Sequence, residues 1–125
     1  MTHEEGAQFI ERLLHVWKKG LVDQIDSLYH SHVSARLNQA LQLGYADIKK
    51  RFEYVASGNT DRHFKVENLL VEGDKIALFF CYTAFDTKLQ EAINAPTLWL
   101  LTLDQGKIAN LEILTSLQFN YQASA

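Results

Sequence analysis

At Asp61 the hydrophobic period of the chain changes. Before it, apolar residues recur at steps of three and four; after it, they form extended runs separated by short polar turns. That switch limits the fold more than any single motif. Helices come first and strands afterwards, so the helices should gather on one face of a sheet built by the second half, and the expected class is α+β. The runs are Arg62–Val71, Lys75–Phe85, Leu89–Leu103 and Lys107–Phe119, rich in β-branched, aromatic and leucine residues. Glu72-Gly73-Asp74, Asp86-Thr87-Lys88 and Asp104-Gln105-Gly106 supply the turns, which predicts a meander of antiparallel strands. Pro96 cannot donate to a ladder. The third strand is therefore expected to bulge, or to begin its paired part, near Asn94-Ala95-Pro96.

The helical half opens at Thr2, which with Glu5 has the spacing of a capping box. Ile10, Leu13, Leu14, Trp17 and Leu21 continue on one stripe, and Gly20 ends the helix after Lys19. A shorter helix is expected next, with Val22, Ile25, Leu28 and Tyr29 inward and Asp23 and Asp26 near its start. Val33 to Asn38 alternates weakly, as a short strand does. After Gly44, residues Ile48, Phe52 and Val55 mark a third helix, which Gly58-Asn59 is expected to close with a left-handed cap.

Ile76-Ala77-Leu78-Phe79-Phe80 and Leu98-Trp99-Leu100-Leu101 do not alternate, so both faces of the middle strands read as buried. The helices can cover only one face. A second copy of the chain is the expected cover for the other, giving a homodimer with two-fold symmetry.

A chain of 125 residues with 47% hydrophobic and 22% charged residues suits one domain over residues 1–125. Its net charge of -3 offers no general attraction to nucleic acid, and the one basic run, Lys49-Lys50-Arg51, reads as a solvated helix face. The single cysteine, Cys81, excludes an internal disulfide and reads as a buried structural thiol. No apolar run is long enough to span a membrane and the amino terminus lacks a signal-peptide pattern, so neither membrane nor nucleic-acid partners are expected and the location expected is cytoplasmic.

The run from Trp17 to Tyr29, with its glycine break at Gly20, resembles the opening of SnoaL-like and ketosteroid-isomerase-like proteins of the nuclear transport factor two-like superfamily. Gly44 with Ile48, and Asp104-Gln105-Gly106-Lys107-Ile108, are similar to later landmarks of that group. The resemblance implies a curved antiparallel sheet wrapped around three N-terminal helices, a cystatin-like, cone-shaped α+β barrel with a pocket for a small apolar molecule. It also implies where catalytic groups would sit. In ketosteroid isomerases a base, a tyrosine and a neutral acid would correspond to Leu37, Leu13 and Leu98, and all three are aliphatic here. Asn38, next to Leu37, cannot be a base either. SnoaL-like cyclases carry a histidine and a carboxylate on late strands. Here those strands offer Thr97, Thr102, Glu112, Thr115 and Ser116, without a clear histidine.

Two functions stand side by side: a pocket protein for a small apolar molecule, either a binder or an enzyme of isomerase or cyclase type, and a dimeric interaction module with a filled core. The pocket reading draws its lining from Leu13, Trp17, Leu37, Phe52, Phe64, Tyr82, Leu98 and Glu112, with Trp99 a further aromatic. Tyr82 and Glu112 are the catalytic candidates. Glu112 either faces inward or alternates outward between Leu111 and Ile113. Tyr82 and Asp86 share a strand phase with Ile76, Leu78 and Phe80, and read either as pocket groups or as a core aromatic and a turn residue. Arg36, alone in an apolar strand, would need a carboxylate or an anion if buried, and edge exposure is the simpler account. His30 and His32 are placed at the end of the second helix, where a spacing of two splits them between faces; His63 and His15 read as surface residues. No metal and no cofactor is expected, since no phosphate loop, nucleophile elbow or ligand cluster occurs.

Overall fold

The structure, a computed structural model, describes residues 1–117. Helix α1 (His3–Lys19) leads through a short 3-10 turn (Val22–Gln24) into α2 (Ile25–Leu28). Strands β1 (Tyr29–Leu37) and β2 (Leu41–Leu43) precede α3 (Tyr45–Gly58). Strands β3 (Asn59–Glu72), β4 (Lys75–Asp86), β5 (Glu91–Asp104) and β6 (Lys107–Thr115) follow. The sheet order is β2-β1-β6-β5-β4-β3.

Local chemistry sets the helix ends. Thr2 Oγ1 accepts from the Glu5 amide at 3.1 Å while Glu5 Oε1 accepts from the Thr2 amide at 2.8 Å, so the capping box forms. Gly20 takes φ 69 and its N–H closes on Val16 O. Only glycine adopts that backbone without strain. At the start of α3 the Asp47 carboxylate accepts from the Gly44 amide at 2.9 Å. Arg62 then binds both helix ends to the sheet: its Nε donates to Lys18 O at the end of α1, and its Nη1 donates to Val55 O, Ala56 O and Asn59 O at the end of α3. One guanidinium thus brings a charged donor to carbonyls at the ends of both helices.

Several expectations are corrected. The sheet is mixed rather than antiparallel throughout, because β1 runs parallel to β6 from Ser34↔Asn110 to Leu37↔Ile113, while β3 to β6 form the antiparallel meander. Tyr29 opens β1 instead of closing the second helix, and Val22 is exposed. Asn59 is extended (φ -108, ψ 126), so α3 runs directly into β3 without a left-handed cap. Pro96 causes no bulge against β4, where it pairs with Cys81 in unbroken register. The other alternative holds on the β6 side, where pairing of β5 begins at Thr97, just past the proline, as its missing donor allows. The far end of the predicted last strand, at Phe119, lies outside the described residues.

The curved, unclosed sheet wraps α1 and α3. Ile76, Leu78, Phe80 and Tyr82 of β4 and Trp99 and Leu101 of β5 point to the helices and are buried. Their neighbours point away: Phe79, Leu98, Leu100 and Leu114 form an exposed apolar surface, with Phe79 opposite Leu98 and Leu98 opposite Leu114. Cys81 lies on that outer face, half-buried, with Sγ 2.9 Å from Asn94 Oδ1, rather than in the core. Among the described residues no helix is long and apolar enough to cross a membrane.

Candidate functional site

Between the helices and the concave face of the sheet lies an open-mouthed cavity of about 80 Å³. Its wall comes from α1 (Trp17), α3 (Ile48, Arg51, Val55) and the inner phases of the strands. An aromatic chain runs along it. Tyr82 contacts Phe64 at 4.8 Å between ring centroids, Phe64 meets Phe80 at 5.7 Å, Phe80 meets Trp99 edge-on at 4.8 Å, and Trp99 approaches Trp17 at 6.2 Å. Offset and edge-on arrangements of this kind are the favoured geometries of aromatic pairs.

Few polar groups interrupt this lining. Tyr82 Oη accepts from Asn59 Nδ2 at 2.8 Å, and Tyr29 Oη accepts from Trp17 Nε1 at 3.0 Å. Burial raises the pKa of both phenols, and for Tyr82 the Asn59 hydrogen bond and the charges of Arg62 and Arg51 oppose that rise. Both therefore stay protonated and keep an O–H to donate. Asn59 is itself buried, and its Oδ1 has no hydrogen-bond partner among the described residues. Across the cavity Thr97 Oγ1 lies 2.8 Å from Thr115 Oγ1 and donates to Ala95 O, so these hydroxyl protons are engaged within the protein. Arg51 is the lining residue that carries a formal charge, and its guanidinium stands 5.3 Å over the Tyr54 ring.

Behind Arg51 a second polar group holds the end of the cone. Tyr54 Oη donates to Asp86 Oδ2 at 3.0 Å, and Asp86 Oδ1 accepts from the Lys88 and Leu89 amides. Burial pushes the Asp86 carboxyl up. The hydrogen bonds from Leu89, Tyr54 and Lys88 outweigh it, and the carboxyl titrates below its ordinary range. Asp86 thus fixes the β4–β5 turn and orients Tyr54.

Of the residues expected from sequence, Trp17, Phe64, Tyr82 and Trp99 line the cavity. Phe52 is buried behind Trp17 at 4.7 Å, and Leu13 and Leu37 are core residues. Leu98 and Glu112 are corrected: both belong to the outer phase of the sheet. Glu112 holds Arg36 in a two-point pair there, Oε1 to Nη2 at 2.6 Å and Oε2 to Nε at 3.0 Å, half-exposed. The strand carrying Glu112 pairs Leu111 inward with Leu101, which sends Glu112 outward beside Leu100. Arg36 therefore has its carboxylate without burial. Thr102 lies in the shallow groove around Arg36 and Glu112, and Ser116 is exposed. His30 and His32 lie on β1, not on a helix, with rings 6.0 Å apart and His30 3.9 Å from Asp104. His63 pairs with Asp61 on the surface. Among the described residues no three His, Cys, Asp or Glu side chains converge as a metal site.

Sequence reasoning missed Asn59, Arg51, Tyr54 and Tyr29 as site groups. Arg51 sat in a charge run whose other members, Lys49 and Lys50, are exposed. The helical steps of three and four from Ile48 to Arg51 and on to Val55 were the available signal. Asn59 carried none, because its burial depends on α3 entering β3 without a cap.

Similar structures share the fold. AclR from Streptomyces galilaeus, a candidate hydroxylase, superposes with a TM-score of 0.81 at 15% identity over 92% of this chain and 91% of that one. TsrD from Streptomyces laurentii gives 0.79 at 16% identity over 93% and 91%. A candidate SnoaL-like polyketide cyclase from Shewanella putrefaciens CN-32 gives 0.75 at 13% identity over 96% and 93%. No curated protein matches the sequence. The family model of the SnoaL-like domain matches residues 10–111, from the first buried turns of α1 to the inward Leu111 of β6, and the chain belongs to the SnoaL-like domain family.

Proposed function

We propose that this protein binds a small, largely apolar molecule in the cone. One observation carries the reading: an open-mouthed cavity whose wall is aromatic and aliphatic apart from a few hydroxyls and Arg51. A chain of this size could have filled that space with side chains, as cores do. Among the described lining residues there is no carboxylate or histidine, so the reading is one of binding, with Tyr82 the phenol that a bound carbonyl would meet. The AclR and polyketide-cyclase likenesses support a pocket of this kind through the fold alone.

The test uses the tryptophans. The sequence has 2, Trp17 and Trp99, and both line the cavity, so occupancy should quench their emission. A panel of aromatic and polycyclic ketones, esters and acids is titrated against the wild type and Ile113→Phe, a cavity-filling change at a half-buried lining residue. Saturable quenching by some compound, absent in the variant at unchanged melting temperature, is expected. Quenching of equal strength in both proteins would place the ligand elsewhere.

We also propose that a second copy covers the outer sheet face. Phe79, Leu98, Leu100 and Leu114 make a cross-strand apolar row, and the adjacent Arg36–Glu112 pair is neutral, so two identical faces meet without charge repulsion. Leu100→Arg should convert a dimer to a monomer in light scattering. A wild-type monomer at micromolar concentration would refute it.

A further inference from the structure

We propose that Asn59 sets the class of ligand the cavity accepts, although it is not itself a lining residue. By occupying the Tyr82 oxygen it leaves that phenol to act as a donor. The site then selects neutral molecules with a hydrogen-bond acceptor, a ketone by preference, over those that bring an N–H. The inference rests on the pocket reading and adds to it a specificity-determining residue. Three observations carry it.

The first is the state of the Tyr82 hydroxyl. Its oxygen accepts from Asn59 Nδ2 at 2.8 Å, and among the described residues no group accepts its proton. Tyr82 is buried and belongs to the cavity wall. Buried polar groups are as a rule hydrogen-bonded, so a proton left open in the wall of a cavity marks where the contents of that cavity complete the bond.

The second is the balance of the other hydroxyls in the wall. Tyr29 repeats the pattern: its oxygen accepts from Trp17 Nε1 at 3.0 Å, and its proton likewise has no acceptor among the described residues. Thr97 and Thr115 are engaged on both sides. With its proton on Ala95 O, Thr97 Oγ1 accepts from Thr115 Oγ1, which in turn accepts from the Leu117 amide. The open valences of these hydroxyls are therefore phenol protons. A ketone matches them, whereas an N–H brought into the same space would be buried without a partner.

The third is the orientation of Asn59. Its amide gives Nδ2 to Tyr82 and leaves Oδ1 without a hydrogen-bond partner among the described residues, at 1% exposure. Turned over, the same amide would accept the Tyr82 proton and leave the phenol with lone pairs for the cavity, the opposite preference. Either way one polar atom of Asn59 stays open, so the direction of the amide, not its number of bonds, decides what Tyr82 presents. The backbone of Asn59 is placed by its pairing with Asp86 at the start of β3.

Indanone and indole separate acceptor from donor in bicyclic molecules of similar size. Each, with the parent hydrocarbon indane, is titrated calorimetrically into the full chain for the wild type, Tyr82→Phe, Asn59→Leu and the cavity-filling Ile113→Phe. The wild type should bind indanone about five-fold more tightly than indole, the usual scale of one neutral hydrogen bond. Tyr82→Phe should weaken indanone by about the same factor and leave indane unchanged. Asn59→Leu frees the phenol oxygen to accept, so indole should gain and the preference narrow while indane is again unchanged, a pattern that a merely structural loss would not give. Circular dichroism melting confirms that each variant is folded, and Asn59→Ala repeats the test if leucine does not fit. Equal binding of indanone and indole by the wild type overturns the acceptor preference and leaves the pocket reading standing. A preference undiminished without the Asn59 amide overturns the role of Asn59. Absence of binding by all three probes, or binding that persists in Ile113→Phe, counts against both readings.

Discussion

Replacing Gly6 with alanine tests how α1 sits on the sheet. Gly6 is buried in the second turn of α1, and a Cβ there would lie 2.5 Å from Val71 Cγ2 of β3. Rotating Val71 does not relieve this, because its Cγ1 is 3.2 Å and its Cβ 3.4 Å from the same point. A β-branched side chain has few rotamers in any case. Alanine in place of glycine favours a helix by up to about 1 kcal/mol. Overpacking a closed contact costs about 1–3 kcal/mol, so the net is a loss of roughly 1–2 kcal/mol. In a domain of this size that lowers the melting temperature by several degrees, on the order of 4 °C per kcal/mol. Val71→Ala removes both methyls and leaves an ordinary contact. In that background Gly6→Ala should stabilise by roughly 0.5–1 kcal/mol, a coupling near 2 kcal/mol in a double-mutant cycle. Urea unfolding followed by tryptophan emission gives all four values. If Gly6→Ala stabilises the wild type, α1 is not seated on β3 as described.

Other substitutions probe the links between helices and sheet. Arg62→Met strips the carbonyls of Lys18, Val55, Ala56 and Asn59 of a charged donor, and urea unfolding should show a loss of about 2–3 kcal/mol. Gly20→Ala forces a side chain into φ 69 with its Cβ 3.0 Å from Ala56 Cβ, and should lower stability by about 1–2 kcal/mol. Asp86 has a depressed carboxyl pKa, so its ionised form stabilises the fold above the unfolded value of about 3.9 and that contribution disappears as pH falls through the lower folded value. The Asp86→Asn variant should therefore be less stable than the wild type at neutral pH, the gap closing below pH about 4.

The sequence made some of this legible and hid the rest for identifiable reasons. Thr2, Glu5 and Gly20 act through neighbours a few residues away, so the bounds of α1 follow from local chemistry. The meander follows from its turns, where Gln105 and Gly106 take positive φ and Glu72 pairs directly with Lys75. Strand phase was harder. Along β4 the inner phase of Ile76, Leu78, Phe80 and Tyr82 is evident once Asp86 ends it, whereas Leu98 and Leu100 are as apolar as Trp99 and Leu101 and nothing local marks them as outer. Glu112 between Leu111 and Ile113 is likewise undecided until the register with β1 puts it beside Arg36. The parallel pairing of β1 with β6 joins residues 76 or more positions apart, and no short-range pattern encodes it. The polar end of the cavity depends on the same long-range assembly: Asn59 meets Tyr82, and Tyr54 meets Asp86, only after α3 and β4 are in place.

The central claim is that the cone is a ligand site. Its most direct test is a crystal structure of the protein soaked with the tightest binder from the fluorescence panel, with the Ile113→Phe protein as control. The account predicts ordered density along the aromatic wall, in contact with Trp17, Trp99 and Tyr82 in the wild type and absent in the variant. A binder ordered only on the outer sheet face, or a cavity occupied by the protein's own side chains, would contradict it.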